Sequence, residues 1–308
     1  MTGRALLAGY VADLAIGDPV RFHPVAGFGR AAAGVERRTW RPSRFAGLLY
    51  AGGLVLAAGA VAGALDRALS PARAARGALT VAVVWAALGG RSLGREGRAV
   101  AALVAAGDLD AARRRIGALV GRDPAGLTSG ELCRAAVESI AENTADAIVA
   151  PLLWGSLAGP AGVVAYRAAN TLDAMVGHRC PRYERFGWAA AHLDDLLTWP
   201  AARIGAALAV VLAPLAGGRG RDAWRVLRDD GAAHPSPNAG RLEAAFAGAL
   251  GVRLGGRNAY DGRLEQRPQL GDGRVPGPAD VAGAVRLSAL VGGAAALCAA
   301  AVGDTVAS

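Results

Sequence analysis

The run AGLLYAGGLVLAAGAVAGAL, residues 46–65, decides the fold class, because it is 20 residues long and carries no charge. At about 1.5 Å per residue, a helix of that length crosses roughly 30 Å of hydrocarbon. Four further runs extend the pattern. Residues 77–90 are apolar but reach only ~21 Å as a helix. Residues 147–166 are uncharged yet hold Pro151, Gly155, Gly159, Pro160 and Gly162, so that run is expected to break or bend. Residues 204–218, extendable back past Arg203 to Leu196, and residues 287–303 complete the set. The reading is an all-α, polytopic α-helical integral membrane protein of about five apolar runs, with 77–90 and 147–166 as candidates for re-entrance. No internal repeat or low-complexity tail divides it, so residues 1–308 read as a single membrane-embedded domain.

Composition agrees. The 308 residues are 53% hydrophobic with a mean hydropathy of +0.29. The apolar mass is Ala, Leu and Val with 44 Gly, and only 5% is aromatic. Small residues let helices approach closely in lipid; a soluble Ala/Gly-rich helical protein is the bland alternative. Net charge is +9, and no lysine is present. That excludes a Walker A lysine, a Schiff-base lysine and a pyridoxal phosphate anchor. The arginines flank apolar runs instead of forming an aromatic-laced basic surface, so they read as an orientation signal and not as a nucleic-acid site. Segments 1–45, 91–146 and 219–286 hold 26 of the 34 arginines, and segments 66–76 and 167–203 hold 8, which places the first set in the cytoplasm. Cys133, Cys180 and Cys298 lie far apart and suggest neither zinc nor a disulfide framework. The N-terminus only faintly resembles a signal peptide, since Asp13 and Asp18 interrupt it, and it is read as mature sequence.

Between and within the runs lie five polar segments. In ESIAENTADA, residues 138–147, Glu138, Glu142 and Asp146 follow i, i+4, i+8 spacing and share one face of a continuous helix. Three acids on one face repel unless a cation stands among them, so Mg²⁺, alone or with a nucleotide's phosphates, fits; a solvated face beside Arg134 is the other reading. In YRAANTLDAMVG, residues 166–177, Arg167, Asn170 and Asp173 share a broad face of an apolar helix, where ionisable groups are costly and functional by default. An Arg167–Asp173 structural pair is the alternative. FGWAAAHLDDL, residues 186–196, holds His192 and the adjacent acids Asp194 and Asp195, of which at most one joins a given site. HPSPNAG, residues 234–240, offers Ser236 or Asn238 as the cap of a helix whose N-terminus also attracts phosphate. Gly17-Asp18-Pro19 followed by His23-Pro24-Val25 is a turn signal, weak alone.

Taken in order, these segments, with HPSPNAGRLEAAFAGALGVRLGG over residues 234–256, resemble the CobD/CbiB family of cobalamin biosynthesis from about residue 5 to 275. Departures from the family pattern include Ala145, Ala147, Ala174, His178, Arg179 and Arg241-Leu242. They exclude any role needing a serine hydroxyl at 145 or a lysine amine at 179. The resemblance implies an ATP-dependent acid–amine ligase of the cell membrane, adenosylcobinamide-phosphate synthase. It would join a propionate of adenosylcobyric acid to the amine of (R)-1-amino-2-propanol O-phosphate, or of the free amino alcohol. ATP and Mg²⁺ are the implied co-reactants. The implied partners are the two substrates and the lipid bilayer, with a homo-oligomer or an assembly with other corrinoid enzymes as the open arrangements.

On this reading Glu138, Glu142 and Asp146 hold Mg²⁺–ATP, and Glu138 and Glu142 also act in catalysis by orienting the amine. Asp173 or Asp194 is the general base. Asn143, Asn170, Ser236 and Asn238 hydrogen-bond phosphate or corrin amides, and Arg167 neutralises the amine's phosphate. A transporter and a non-catalytic scaffold for corrinoid enzymes are the rivals. One conflict stands at this level: five simple crossings put residues 167–203 outside, away from cytoplasmic ATP, so one broken run is not expected to be a full crossing.

Overall fold

The computed structural model describes residues 2–18, 23–121, 123–178, 180–260 and 263–306; Pro19 of the first turn signal and Arg179 lie outside them. Five helical stretches are long and apolar enough to cross a membrane: Arg44–Ala68, Arg73–Ala105, Ser129–Gly177, Trp188–Ala216 and Pro278–Thr305. They contain four of the five runs read from the sequence and all but the last two residues of the fifth, 204–218, and the protein is a polytopic all-α membrane protein. Chain contacts divide it into two units, each assembled from separated segments: Met1–Gly89, Ala150–Pro200 and Ala295–Ser308 in the first, Gly90–Val149 and Ala201–Ala294 in the second.

The first unit holds α1 (Thr2–Ile16), α2 (Pro24–Thr39), α3 (Arg44–Ala68), α4 (Arg73–Ala87), α8 (Ala150–Leu172) and the start of α9 (Trp188–Leu212). Helix α3 is apolar on all sides, with Phe45, Leu49, Leu56 and Val61 exposed, as expected of a lipid-facing span. A 49-residue helix such as Ser129–Gly177 would measure about 74 Å if straight, more than twice the hydrocarbon thickness. It is not straight. Ala158 (φ −133°, ψ 15°) and Gly159 (φ 59°, ψ −149°) leave the helical region just before Pro160. A side chain added at Gly155 would meet Val163, and one at Gly162 would meet the Trp154 carbonyl. Residues eight apart are thus in contact, where a straight helix separates them by ~12 Å. The chain folds back on itself as a helical hairpin.

The position of that reversal fixes which segments share an end of the first unit. Gly159 and Pro160 line a polar cavity of about 460 Å³ with Asp66, Ser70, Arg73 and Arg76 of the α3–α4 connection. The returning arm, residues 160–172, runs antiparallel to α3: Gly63 faces Ala161 and Gly59 faces Ala165. It therefore ends beside the start of α3. There Gly47 packs on the Phe186 backbone, Tyr50 on the Phe186 ring at 5.0 Å, and Arg44 over Trp188. Glu36 of α2 accepts hydrogen bonds from Arg182 (3.1 Å) and Tyr183 (2.8 Å). Burial, then the bond to Glu36, raises the Tyr183 hydroxyl above its ordinary value. Residues 180–188 thus share an end of this unit with Glu36 and Arg44 of the arginine-rich stretch 30–44, whereas five simple crossings would set 167–203 on the side opposite that stretch.

The second unit holds α5 (Gly90–Ala105), α6 (Leu109–Ile116), α7 (Ser129–Thr144), α10 (Gly220–Asp230), α11 (Ala239–Leu250), the end of α9 and most of α12 (Pro278–Val306). Helix α7 starts on a capping box, Thr128 with Glu131, as Thr-x-x-Glu predicts. Helix α11 is buried almost throughout, and Leu132, Ile140, Leu242, Phe246 and Leu254 form the core. One element was not expected. Strands β1 (Leu254–Tyr260) and β2 (Arg263–Leu270) form an antiparallel hairpin with a register shift between Leu254 and Gly256. These strands are rich in Arg, Gly and Gln, without the β-branched alternation that marks a strand.

Two measurements check this fold. In a protein whose native cysteines are replaced by serine, the pair Gly155→Cys and Val163→Cys should form an intramolecular disulfide on oxidation; a straight helix would leave both thiols free. In sealed vesicles, a cysteine at Ser70 and native Cys180 should react with a membrane-impermeant maleimide from opposite faces. Reaction of both from one face would refute the hairpin's direction.

Candidate functional site

The sequence-predicted site residues belong to both units, and each group has its own geometry. In the first unit the structure joins Arg167, Asn170 and Asp194. Arg167 Nη1 donates to Asn170 Oδ1 at 3.0 Å, and Asn170 Nδ2 donates to Asp194 Oδ1 at 3.2 Å. The i, i+3 spacing on α8 brings Arg167 to Asn170, and α9 packing supplies Asp194, which is buried. Asn170 uses its two-sided amide to hold a cation on one side and an anion on the other. Arg167 pairs with Asn170, not with Asp173 as the structural alternative supposed. One turn below, buried Tyr166 and Thr198 share a 3.1 Å hydrogen bond. Neither residue was singled out from the sequence. Arg167 also forms part of the wall of an otherwise largely apolar cavity of about 270 Å³ between α2, α4 and α8.

Asp173 directly follows α8 and is the first residue of a π-helical turn, Asp173–Gly177. Gly177 leaves room for the Asp173 carboxylate, which a side chain at 177 would strike. His192 turns back on its own helix, with Nδ1 at 2.8 Å from the Trp188 carbonyl and its ring against the Trp188 ring.

In the second unit another π-helical turn occurs at Ala145–Val149. Helix α7 ends at Thr144, so Glu138, Glu142 and Asp146 do not lie on one continuous α-helical face. Among the described residues no group of three or more His, Cys, Asp or Glu stands close enough to hold a metal ion. Glu138 has a different engagement: it is 7% exposed, and its Oε1 accepts the Gly255 backbone N–H at 2.8 Å. Arg134 Nε lies 3.9 Å from the same oxygen, and Arg134 Nη2 donates to the Arg257 carbonyl at 2.7 Å. Glu138 and Arg134 therefore fasten the β-hairpin to α7. Glu142 is exposed and Asp146 half-buried. Asn143 Nδ2 donates to the Ser139 carbonyl at 2.9 Å, within its own helix.

The HPSPNAG segment is a built corner. Ser236 Oγ accepts from the Asn238 and Ala239 N–H groups, so Ser236, not the Asn238 side chain, caps α11. Asn238 Oδ1 instead accepts from Arg203 at 3.1 Å. His234 Nδ1 accepts from Ser236 N–H, and His234 Nε2 is 3.9 Å from buried Glu243. Arg203, His234 and Glu243 are site candidates that spacing did not reveal; Arg203 reaches Asn238, and His234 reaches Glu243, only through packing.

With this geometry in hand, likeness to known proteins becomes informative. The family described as CobD/Cbib protein matches residues 6–288. The chain belongs to the CobD/CbiB family. A relative from Mycobacterium tuberculosis named "Cobalamin biosynthesis protein CobD" is 53% identical over 292 residues, covering 95% of this chain and 93% of the relative. Proteins of the same name from Geobacter metallireducens and Rhodobacter capsulatus are 44% identical (89% of this chain, 88% of theirs) and 46% identical (65% of this chain, 63% of theirs). No solved structure matches.

The role of Glu138 is open to measurement. Removing it leaves the buried Gly255 N–H without its acceptor, so Glu138→Ala should cost about 1–3 kcal/mol and speed proteolysis within residues 254–270. Glu138→Gln, which keeps an acceptor, should recover much of that loss. Unchanged stability in Glu138→Ala would refute the anchoring role.

Proposed function

We propose that the chain is a cobalamin-biosynthesis enzyme of the cell membrane, an amide-forming synthase that joins adenosylcobyric acid to (R)-1-amino-2-propanol O-phosphate, or to the free amino alcohol, at the expense of ATP. The observation that carries the reading is the Arg167–Asn170–Asp194 chain, an ordered cation–amide–anion series in an apolar helix pair. The segment that follows it meets Glu36 and Arg44 of the arginine-rich stretch 30–44. By the arginine bias that stretch is cytoplasmic, where ATP is available. Family membership supports the pathway.

A carboxylate is a poor electrophile, so the reaction needs activation. A propionate oxygen attacks the terminal phosphorus of ATP and ADP leaves. The amine then attacks the acyl carbon, phosphate departs, and the ammonium proton passes to a carboxylate base. Asp194, oriented by Asn170, or Asp173 on its π-helical turn, takes that proton. Arg167 balances the phosphate of the amine. Asn143, Ser236 and Asn238 remain candidate contacts to phosphate or corrin amides. The acids of the second unit do not fit a three-carboxylate Mg²⁺ cage, since they are not gathered. Mg²⁺ therefore arrives as part of the nucleotide substrate, with Glu142 and Asp146 as the carboxylates to meet it. Glu138 is assigned to positioning.

The broken helix beside intramembrane Asn170 is also what a transporter would use. One assay separates the readings. Purified protein given adenosylcobyric acid, ATP, Mg²⁺ and aminopropanol phosphate should release ADP and the amide. Asn170→Ala and Asp194→Asn should each lower kcat by about a hundredfold or more. Corrinoid binding without product would favour a scaffold, and neither binding nor product would favour transport.

A further inference from the structure

The second unit contains a concave basic surface that the proposed chemistry leaves unused. A cavity of about 480 Å³ opens between the start of α7, the β-hairpin and residues 275–276. Three arginines line it, Arg134, Arg253 and Arg257, together with the carboxamides of Gln266 and Gln269. Glu131 is the one acid in the lining, and its Oε2 already accepts from the Thr128 N–H (2.9 Å) and hydroxyl (2.7 Å).

Elsewhere the same unit matches its surface arginines with acids: Arg225 with Asp272, Arg274 with Asp280, Arg115 with Glu96. No described acidic side chain pairs with Arg253 or Arg257, and both are exposed. Their convergence is imposed by packing. Arg134 is steered by Glu138 and by the Arg257 carbonyl. Gly256, at φ +87°, keeps the wall open, since a Cβ there would stand 3.0 Å from Arg134 Nη1. Arg257 and Gln266 are register partners across the hairpin, so their side chains emerge on one face of the sheet. Like charges gathered in a recess repel one another, and the arrangement is relieved by an anion with several acceptor oxygens. Guanidinium forks match phosphate bidentately, and carboxamides add neutral donors.

We infer that this cavity is a binding site for a phosphate-bearing polyanion, held by Arg134, Arg253 and Arg257 with Gln266 and Gln269. The phosphate chain of a nucleotide and the headgroup of an anionic lipid share this chemistry. In the first case the cavity supplies the nucleotide subsite of the ligase, a refinement that rests on the function proposed above.

The test uses full-length protein in nanodiscs without corrinoid or amine, so its outcome does not depend on amide formation. In discs of phosphatidylcholine alone, inorganic tripolyphosphate should bind saturably and more weakly as salt is raised. The double variant Arg253→Gln with Arg257→Gln should lose at least tenfold in affinity, while Arg225→Gln, a paired surface arginine, should not. Retention of phosphatidylglycerol by the wild type but not the double variant, with no tripolyphosphate binding, would identify the lipid headgroup as the source of the phosphate. Equal behaviour of wild type and double variant towards both probes, with melting temperatures unchanged, would overturn the site.

Discussion

At Ala158–Gly159 the helical hydrogen-bond ladder is interrupted between two apolar arms, and the backbone groups freed there cannot be left facing lipid. The structure meets this demand by placing the reversal beside a polar cavity lined by Asp66, Ser70, Arg73, Arg76 and Thr80. Other features of the first unit follow from that location. Because the chain turns at the α3–α4 end, residues 160–172 must run back along α3. Both arms then meet α9 at adjoining positions, Trp154 through the Leu197 carbonyl and Tyr166 through Thr198. That docking brings α9 to the face of α8 bearing Asn170 and sets Asp194 against it.

The two π-helical turns are a second shared device. Each falls inside a motif rich in acids and amides, at Ala145–Val149 and at Asp173–Gly177. A π turn sacrifices ideal hydrogen-bond geometry, a cost that persists most often at functional sites. Here each turn carries one acid near its start, Asp146 or Asp173. The carboxylates divide their work. Glu138 is an internal fastener, Asp194 closes a polar chain, and Glu142 remains exposed.

The second unit shows how a basic protein without lysine can use arginine in two ways. Paired guanidiniums such as Arg225 and Arg274 tie loops to helices. Arg225 holds Asp272 below the usual carboxylate range, chiefly through their hydrogen bond. The arginines of the hairpin cavity are arranged to converge. The only sequence hint of the hairpin is the dipeptide Asp261-Gly262 between two polar runs, a turn signal; alternation too weak to read concealed the strands.

The amino-acid sequence by itself determined the lipid-facing class of the protein, because uncharged runs long enough to cross hydrocarbon have few other uses in a chain. It also marked the break at 147–166, since Gly and Pro impose local backbone limits that need no partner. The capped helix expected after HPSPNAG was likewise legible, and it stands at Ala239–Leu250. Spacing failed where the outcome depended on contacts between separate helices and strands or on a departure from α geometry. Nothing local in ESIAENTADA says that Glu138 will be spent on Gly255, 117 positions away. Nothing in HLDD chooses Asp194 over Asp195 as the partner of Asn170. Those choices belong to tertiary packing, which alone decides which polar atoms are withdrawn from water together and must therefore satisfy one another.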